Sequence, residues 1–224
     1  MKTYNVSITG TTPMLLHHDN IDWADQLEDW KNNPETKTKK LSKPGDDRTP
    51  AWRWIGCCYH NGINLTIPAA NIMRAIMEGA TMVPVPGGRS GKTFKAQSQS
   101  GMMPAEDQWN IEIGGIPIVW KSIESLMAQE DFRQHKEAVR ALGFDLLVKR
   151  AKVGTNKHIR VRPQIPAGWG LSGNLLVWDE QITQNVLTQF LTYAGRYKGL
   201  GDWRPGSPTP GSFGMFEATV EPTE

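Results

Sequence analysis

The chain of 224 residues lacks any run of eighteen apolar residues, which is about the length that a membrane-spanning helix requires. Its first residues, Met1–Tyr4, lead directly into an alternating strand pattern, without the apolar core of a secretory signal. We therefore expect no membrane partner and a cytoplasmic location.

Cysteine is scarce, because the chain has only Cys57 and Cys58, and these are adjacent. A disulfide between neighbouring residues would be badly strained. No CxxC pair offers the ligand spacing of a zinc site. We therefore expect two free thiols in a reducing compartment, no bound metal and no cofactor.

Acidic residues are missing from one long segment, although the net charge of the whole chain is only +2. From Leu146 to Trp178 there is no Asp or Glu. The same segment contains six basic residues, namely Lys149, Arg150, Lys152, Lys157, Arg160 and Arg162. The nearly neutral average conceals a positive stripe of the kind that binds nucleic acid.

Part of this stripe alternates with apolar residues. His158, Arg160 and Arg162 face one way in an extended chain, whereas Ile159 and Val161 face the other. Side chains on one face of a strand recur every ~7 Å, a spacing close to that of phosphates along an extended single strand. The pattern predicts a strand that follows a nucleic-acid backbone, although an edge hairpin kept soluble by its charges has the same appearance.

The glycine-rich segment Gly195–Gly214 is a second candidate site. Glycines let a backbone approach a phosphate closely, and successive amides can point at an anion. The segment also carries three cations and two aromatic residues suited to bases, which are Arg196, Lys198, Arg204, Tyr197 and Trp203. The alternative is a tight connection between the last helix and the last strand, in which Asp202 pairs with Arg204 or caps a turn.

Gly87–Thr93 ends like the phosphate-binding loop of nucleotide hydrolases, but Pro86 stands where that loop requires its first glycine. We interpret it as a basic loop that contacts nucleic acid through Arg89, Lys92 and Lys95. His17-His18-Asp19, with Asp22 nearby, has the residue types for acid–base cleavage or metal binding. A polar loop whose side chains cap the local backbone is the alternative interpretation.

Hydrophobic periodicity predicts a mixed α+β chain. Strands are expected at 4–10, 51–60, 144–148, 157–162, 175–178 and 215–220, with a hairpin turned at Gly114-Gly115. Helices are expected from Ile67-Pro68 onward, at 130–142, and after a cap at Asp179 or Glu180. The order of elements predicts one ferredoxin-like βαββαβ domain over residues 1–224, with insertions at about 11–50 and 83–143.

Four segments resemble motifs of the RAMP superfamily of CRISPR proteins, in the order in which that superfamily carries them. They are the first strand and loop Val6–His17, the helix start Ile67–Ala75, the strand entry Ile165–Leu175 and the glycine-rich loop Gly199–Phe216. The chain is also similar to phage and mobile-element proteins that share the patterns at Arg160–Ile165 and Gly199–Pro205.

The resemblance implies a modified RNA-recognition fold, with a palm, a thumb-like insertion and head-to-tail assembly along RNA. It also implies that Asp19 or Asp22 occupies the place of an aspartate that cuts RNA in some relatives. We expect a non-catalytic protein that binds single-stranded RNA as a homo-oligomer or as a subunit of a ribonucleoprotein. The alternatives are a metal-dependent endoribonuclease and a phage protein that binds or anneals single-stranded DNA.

Overall fold

The structure is a computed structural model that describes residues 1–37, 49–89, 91–153 and 156–223. The side chains of residue 37 and of residues 151–158 lie outside that description. Among the residues it covers, no helix is both long enough and apolar enough to cross a membrane.

Short and long strands alternate with helices along the chain. The strands are β1 (Lys2–Gly10), β2 (Met14–Leu15), β3 (Thr66–Pro68), β4 (Met102–Pro104), β5 (Gln108–Asn110), β6 (Glu112–Ile113), β7 (Ile116–Pro117), β8 (Asp145–Val153), β9 (Asn156–Ile165), β10 (Trp169–Val177) and β11 (Phe216–Thr223). The helices are α1 (Ile21–Asn32), α2 (Pro34–Lys37), α3 (Ala69–Ala80), α4 (Lys95–Ser100), α5 (Trp120–Glu124), α6 (Phe132–Ala141) and α7 (Gln184–Tyr193). Two 3₁₀ helices, Ala51–Cys57 and Ser125–Ala128, and one π-helical turn, Ala194–Lys198, complete the set.

The main sheet is antiparallel and is centred on β1. One side of β1 pairs with β10 and the other with β11, so that Val6 lies between Gly173 and Val220. The outer edge of β10 is shared by β4 and by the short hairpin of β6 and β7. The chain is therefore a mixed α+β protein, as the sequence predicts.

The two faces of the main sheet differ in character because residues alternate along each strand. One face carries Tyr4, Val6 and Ile8, which are buried with Leu171 and Leu175 of β10. Helices α3 and α7 pack together and complete this core, and α7 also contacts β11. Their apolar stripes are Ile72, Met73 and Ile76 in α3, and Leu187, Phe190 and Leu191 in α7.

The opposite face of the sheet is polar. It carries Thr3, Asn5, Ser7 and Thr9 of β1, Ser172 and Asn174 of β10, and Glu217, Thr219 and Glu221 of β11. The aromatic residues of these three strands, Tyr4, Trp169 and Phe216, all belong to the buried face. The open face therefore offers neither stacking surfaces nor positive charge along these strands.

A second, three-stranded sheet has the order β2–β9–β8. In its long hairpin, Leu147 lies opposite Arg162 and Lys149 lies opposite Arg160. The 3₁₀ helix Ala51–Cys57 packs against β9 and α6. There the buried His135 accepts a hydrogen bond from the Trp54 indole at Nδ1 (3.0 Å), and its Nε2 lies 2.8 Å from the Gln129 carbonyl. These partners require a neutral imidazole with its proton on Nε2.

Several predicted elements are confirmed, and others are wrong for identifiable reasons. The first strand, the hairpin at Gly114-Gly115 and the helices at α3, α6 and α7 are present. Most of the predicted strand at 51–60 is the 3₁₀ helix Ala51–Cys57, because a short apolar run does not distinguish a buried strand from a buried helix. Helix α7 is capped by the Thr183 hydroxyl, and not by Asp179 or Glu180.

The two predicted insertions contain more regular structure than the sequence indicates. Within 11–50, β2 and the helices α1 and α2 replace the expected loop, and residues 38–48 lie outside the described residues. Within 83–103, α4 and β4 form because Phe94 is buried against Phe190 and β4 pairs with β10. The predicted buried strand at 144–148 is buried only in part, because Phe144 and Leu146 face the core whereas Val148 is 46% exposed.

A steric test of the main sheet is available at two glycines of β10. A Cβ atom on Gly173 would overlap the buried indole of Trp109, whereas one on Gly170 would lie at an ordinary 3.7 Å from Glu112 Cβ. We predict that Gly173→Ala lowers the free energy of unfolding by about 1–3 kcal/mol. The matched Gly170→Ala variant should change it by less than about 0.5 kcal/mol. Equal urea midpoints for the two variants would contradict this packing.

Candidate nucleic-acid interface

Three cavities meet at the imidazole of His17, which lies in the loop that follows β2. Their volumes are about 750, 270 and 260 Å³. Arg160 and Arg162 line the first two, and Asp202 lines the first and the third. We call this continuous depression the His17 groove.

The largest cavity of the groove lies between the β8–β9 hairpin and the glycine-rich segment. The hairpin contributes Leu147, Lys149, Arg150, Arg160 and Arg162. The glycine-rich segment contributes Asp202, Trp203, Ser207, Pro208 and Thr209. Lys149 is paired with Arg160 and Leu147 with Arg162 in the hairpin. These four side chains therefore share one face of the second sheet.

An ionic cluster occupies the centre of the groove. Arg162 Nε donates to Asp202 Oδ2 over 3.2 Å, and His17 Nδ1 lies 3.6 Å from the same oxygen. His17 Nε2 lies 3.4 Å from Asp19 Oδ1. The side chain of Arg162 is only 13% exposed, whereas that of Asp19 is 98% exposed. Asp202 is therefore held firmly by the protein, whereas Asp19 reaches His17 from solvent.

Backbone contacts bring the glycine-rich segment to this cluster. The amide of Asp202 donates to the carbonyl of Leu15 over 2.8 Å, which places the segment beside β2. Gly201 precedes it with a φ of +79°, and a Cβ there would overlap the Leu15 carbonyl. Tyr59 donates its hydroxyl proton to the His17 carbonyl over 2.8 Å and so fixes the loop that carries the imidazole.

The environment keeps His17 neutral near pH 7. Burial lowers the pKa of His17 below its ordinary value, and the charge of Arg162 lowers it further, against the opposing effects of Asp202 and Asp19. Burial likewise raises the pKa of the Cys57 thiol, so this thiol stays protonated. Its Sγ accepts a hydrogen bond from Arg162 Nη1 over 3.5 Å. Both cysteines are free, as the sequence predicts.

Trp203 has an unusual backbone conformation in the wall of the groove. Its φ of +49° is the only positive φ of a non-glycine residue in the part of the chain that the structure describes. The ammonium of Lys149 lies 3.0 Å above the centre of the indole, and Phe213 stacks on the indole at 5.4 Å. The groove therefore combines an aromatic surface with a row of cations.

Arg204 has a structural role that the sequence did not indicate. It donates to Glu78 of α3 over 3.0 Å and to the Lys198 carbonyl over 3.0 Å, and its predicted pairing with Asp202 is wrong. Burial favours the protonated form of Glu78, but hydrogen bonds from Arg204 and Arg74 hold its pKa below the ordinary value. Arg204 thus ties the glycine-rich segment to α3 at the edge of the smallest cavity.

The predicted binding residues fall into three groups. Lys149, Arg150, Arg160, Arg162 and Arg204 line the groove. The side chains of Lys152, Lys157 and His158 lie outside the described residues, although His158 is paired with Ala151 in the backbone register. The remaining five, Arg89, Lys92, Lys95, Arg196 and Lys198, line none of the three cavities.

The two candidate catalytic aspartates are separated by the start of α1. Asp19 lines the groove, whereas Asp22 lies in the first turn of α1, where its amide is capped by the Asn20 side chain. Among the residues that the structure covers, no three His, Cys, Asp or Glu side chains cluster closely enough to hold a metal ion. The geometry therefore offers His17 and Asp19 to a ligand in the groove.

The sequence-based prediction missed the wall that α1 adds to the groove. Trp23 and Leu27 line the 270 Å³ cavity together with Trp52. Trp23, Leu27 and Trp30 are spaced as i, i+4 and i+7, which is a helical pattern that the polar surroundings obscured. Trp23 and Trp52 lie 5.3 Å apart, so a second aromatic surface stands beside Arg160 and Arg162.

Comparisons with known proteins give no family for this chain. A scan against protein-family models finds no match, and a search of curated proteins finds no similar sequence. The RAMP resemblance therefore rests on the motifs of the chain itself.

The ionic cluster predicts opposite changes in two variants. Arg162→Gln should raise the pKa of His17, because it removes a positive charge and leaves Asp202 free to stabilise the imidazolium. Asp202→Asn should lower that pKa. NMR of the His17 ring resonances between pH 4 and pH 8 measures both shifts. His60 is the internal reference, because Arg162 is not among the groups that shift the pKa of His60.

The lowered pKa of His17 also has a consequence for stability. Because the unfolded chain binds this proton near the ordinary value of ~6.5 and the folded chain binds it at lower pH, the free energy of unfolding decreases as the pH falls between the two values. The Arg162→Gln variant should weaken this dependence. A His17 pKa that is the same in both variants and in the native chain would contradict the cluster.

Proposed function

We propose that the His17 groove binds a single strand of nucleic acid, with RNA as the ligand that the RAMP resemblance favours. The observation that carries this proposal is the convergence of four cations and Trp203 on one 750 Å³ cavity. Phosphates and bases are the two parts of a single strand, and cations and aromatic rings are their usual partners in proteins. The activity is binding and assembly, without cleavage.

The charges in the groove are available to a ligand. Lys149, Arg150 and Arg160 have no ion-pair partner among the described residues, whereas Arg162 is neutralised by Asp202. Lys149 and Arg150 are exposed and Arg160 is half-buried, so the loss of hydration on binding a phosphate is moderate. Arg162 then serves to shape the floor of the groove, and the other three side chains contact the strand.

The topology of the main sheet supports a ferredoxin-like interpretation of the fold. Six elements occur along the chain in the order β1, α3, β4, β10, α7 and β11, with other elements between them. In the sheet, their strands lie in the order β11–β1–β10–β4. This is a βαββαβ arrangement with both helices on one face. In our proposal these elements form the palm, and the residues between α4 and β9 include the thumb-like insertion.

The open face of this palm does not suit the binding mode of a typical RNA-recognition motif. That mode stacks bases on aromatic residues of the sheet, whereas here the face carries Ser, Thr, Asn and Glu. Glu217 and Glu221 would also repel phosphates. We therefore assign the strand to the His17 groove, at the junction of the second sheet and the glycine-rich segment.

Salt dependence of binding tests this assignment. We predict that Arg160→Ala weakens binding of oligouridylate and reduces the slope of log affinity against log salt by about 0.7, the value for one phosphate contact on a single strand. Arg162→Ala should reduce the slope less, because Asp202 already neutralises that guanidinium. Filter binding or fluorescence anisotropy at several salt concentrations measures both slopes.

The matched control is Arg133→Ala, which removes the same charge from the exposed first turn of α6, outside the three cavities. Its slope should equal that of the native protein. If Arg133→Ala and Arg160→Ala have the same effect, binding depends on net charge and the groove is not the site. The same titrations with oligodeoxythymidylate and with duplex RNA distinguish RNA from DNA and single strands from double strands.

Assembly along the strand is a separate prediction from the RAMP resemblance. A long oligouridylate should carry several copies of the protein in head-to-tail contact, whereas a short one should carry a single copy. Mass photometry and electron microscopy on the two lengths measure the number of copies. One copy on strands of every length would contradict assembly but would leave binding in the groove intact.

A further inference from the structure

Trp203 is held in a conformation that a tryptophan adopts only under constraint. A φ of +49° is strained for a bulky residue, and residues held in such conformations cluster at functional sites. The surroundings impose it: the Trp203 amide donates to Asp202 Oδ1 over 2.9 Å, and Gly211 packs so closely that a Cβ there would overlap the Trp203 carbonyl. The indole is thereby directed into the wall of the His17 groove.

The ring of Trp203 is covered by a side chain that can leave. Lys149 is exposed, and its ammonium lies 3.0 Å above the ring centre without an ion-pair partner among the described residues. A cation over an indole at an exposed site is held only weakly. Phe213, in contrast, stacks on the indole from within the glycine-rich segment and supports its orientation.

We infer that Trp203 is the stacking site for one nucleobase of the bound strand, and that Lys149 covers this ring until the base arrives. On binding, the base replaces the ammonium over the indole, and the ammonium moves to a neighbouring phosphate. This inference rests on the proposed function of the groove, and it names the group that the groove recognises beyond phosphate. The affinity should therefore depend on the presence of bases and little on their identity.

A tryptophan with only a structural role would not require a positive φ and a ring that lines the largest cavity. Trp203 is half-buried and lines the largest cavity, between the cations of the hairpin and Ser207–Thr209. Glycine would adopt the observed φ without strain, and a tryptophan there is explained by what its ring contacts. Lys149 contacts the ring and is paired with Arg160 across the hairpin, so the ring adjoins the proposed phosphate contacts.

The experiment compares a strand with and without bases. Oligouridylate and an abasic oligoribonucleotide of the same length are titrated into the native protein, Trp203→Gly and Trp178→Ala. Glycine suits the backbone at position 203, so the first variant should fold, and its melting temperature checks this. Trp178 is 47% exposed at the end of β10, lines none of the three cavities and serves as the control.

We expect the native protein to bind oligouridylate more tightly than the abasic strand. Trp203→Gly should lose roughly 5- to 150-fold in affinity for oligouridylate and almost nothing for the abasic strand. Trp178→Ala should behave as the native protein does. Equal losses on both strands, or no loss on either, would overturn the stacking site while native binding still supported the groove. Failure of the native protein to bind either strand would instead overturn the proposed function.

The role of Lys149 is tested by Lys149→Met, which keeps the apolar stem and removes the charge. The preference for oligouridylate over the abasic strand should be retained, because the Trp203 ring is still present to stack on a base. The salt slope for oligouridylate should fall by about 0.7, because one phosphate contact is lost. An unchanged slope would show that the ammonium does not move to a phosphate, and a lost preference would overturn its role as a cover.

Discussion

The groove is anchored by a short backbone pairing, in which the amide of Asp202 donates to the carbonyl of Leu15. This contact joins the glycine-rich segment to β2, and β2 is in turn hydrogen-bonded to β9. The carboxylate of Asp202 then meets both Arg162 and His17. Together with the Arg162–Asp202 ion pair, the pairing holds the two walls of the largest cavity so that Trp203 and the hairpin cations face a shared space.

The elements that depend on local pattern were predictable from sequence. Helices α3 and α7 show clear apolar stripes, and the alternation around Arg160 identified β9. The elements that depend on tertiary partners were not predictable. The 3₁₀ helix at 51–57 is set by packing against β9 and α6, and α1 is a polar helix with no buried residue. Periodicity alone does not reveal such partners.

The candidate site was predictable as two separate stretches of chain and not as one groove. Sequence pattern selected the hairpin cations and Trp203, but nothing in it brings Leu15 to Asp202 or Lys149 to Trp203, because these residues are far apart in the chain. Arg204 shows the opposite error. Its charge suggested a phosphate contact, whereas the structure uses it to bind Glu78. Residue type indicates what a side chain can bind, and only the fold determines what it does bind.

The main sheet and the second sheet differ in the charge that they present to a strand of nucleic acid. The main sheet is open on a face with Glu217 and Glu221, and its aromatic residues are all turned inward. The second sheet carries Lys149 and Arg160 on the face that meets Trp203. Because phosphate attraction and base stacking must act on the same strand, the surface that offers both is the physically consistent site. In the binding mode that we propose, the main sheet is the scaffold for the hairpin and the glycine-rich segment, and the strand binds at their junction and not on the open face of the sheet.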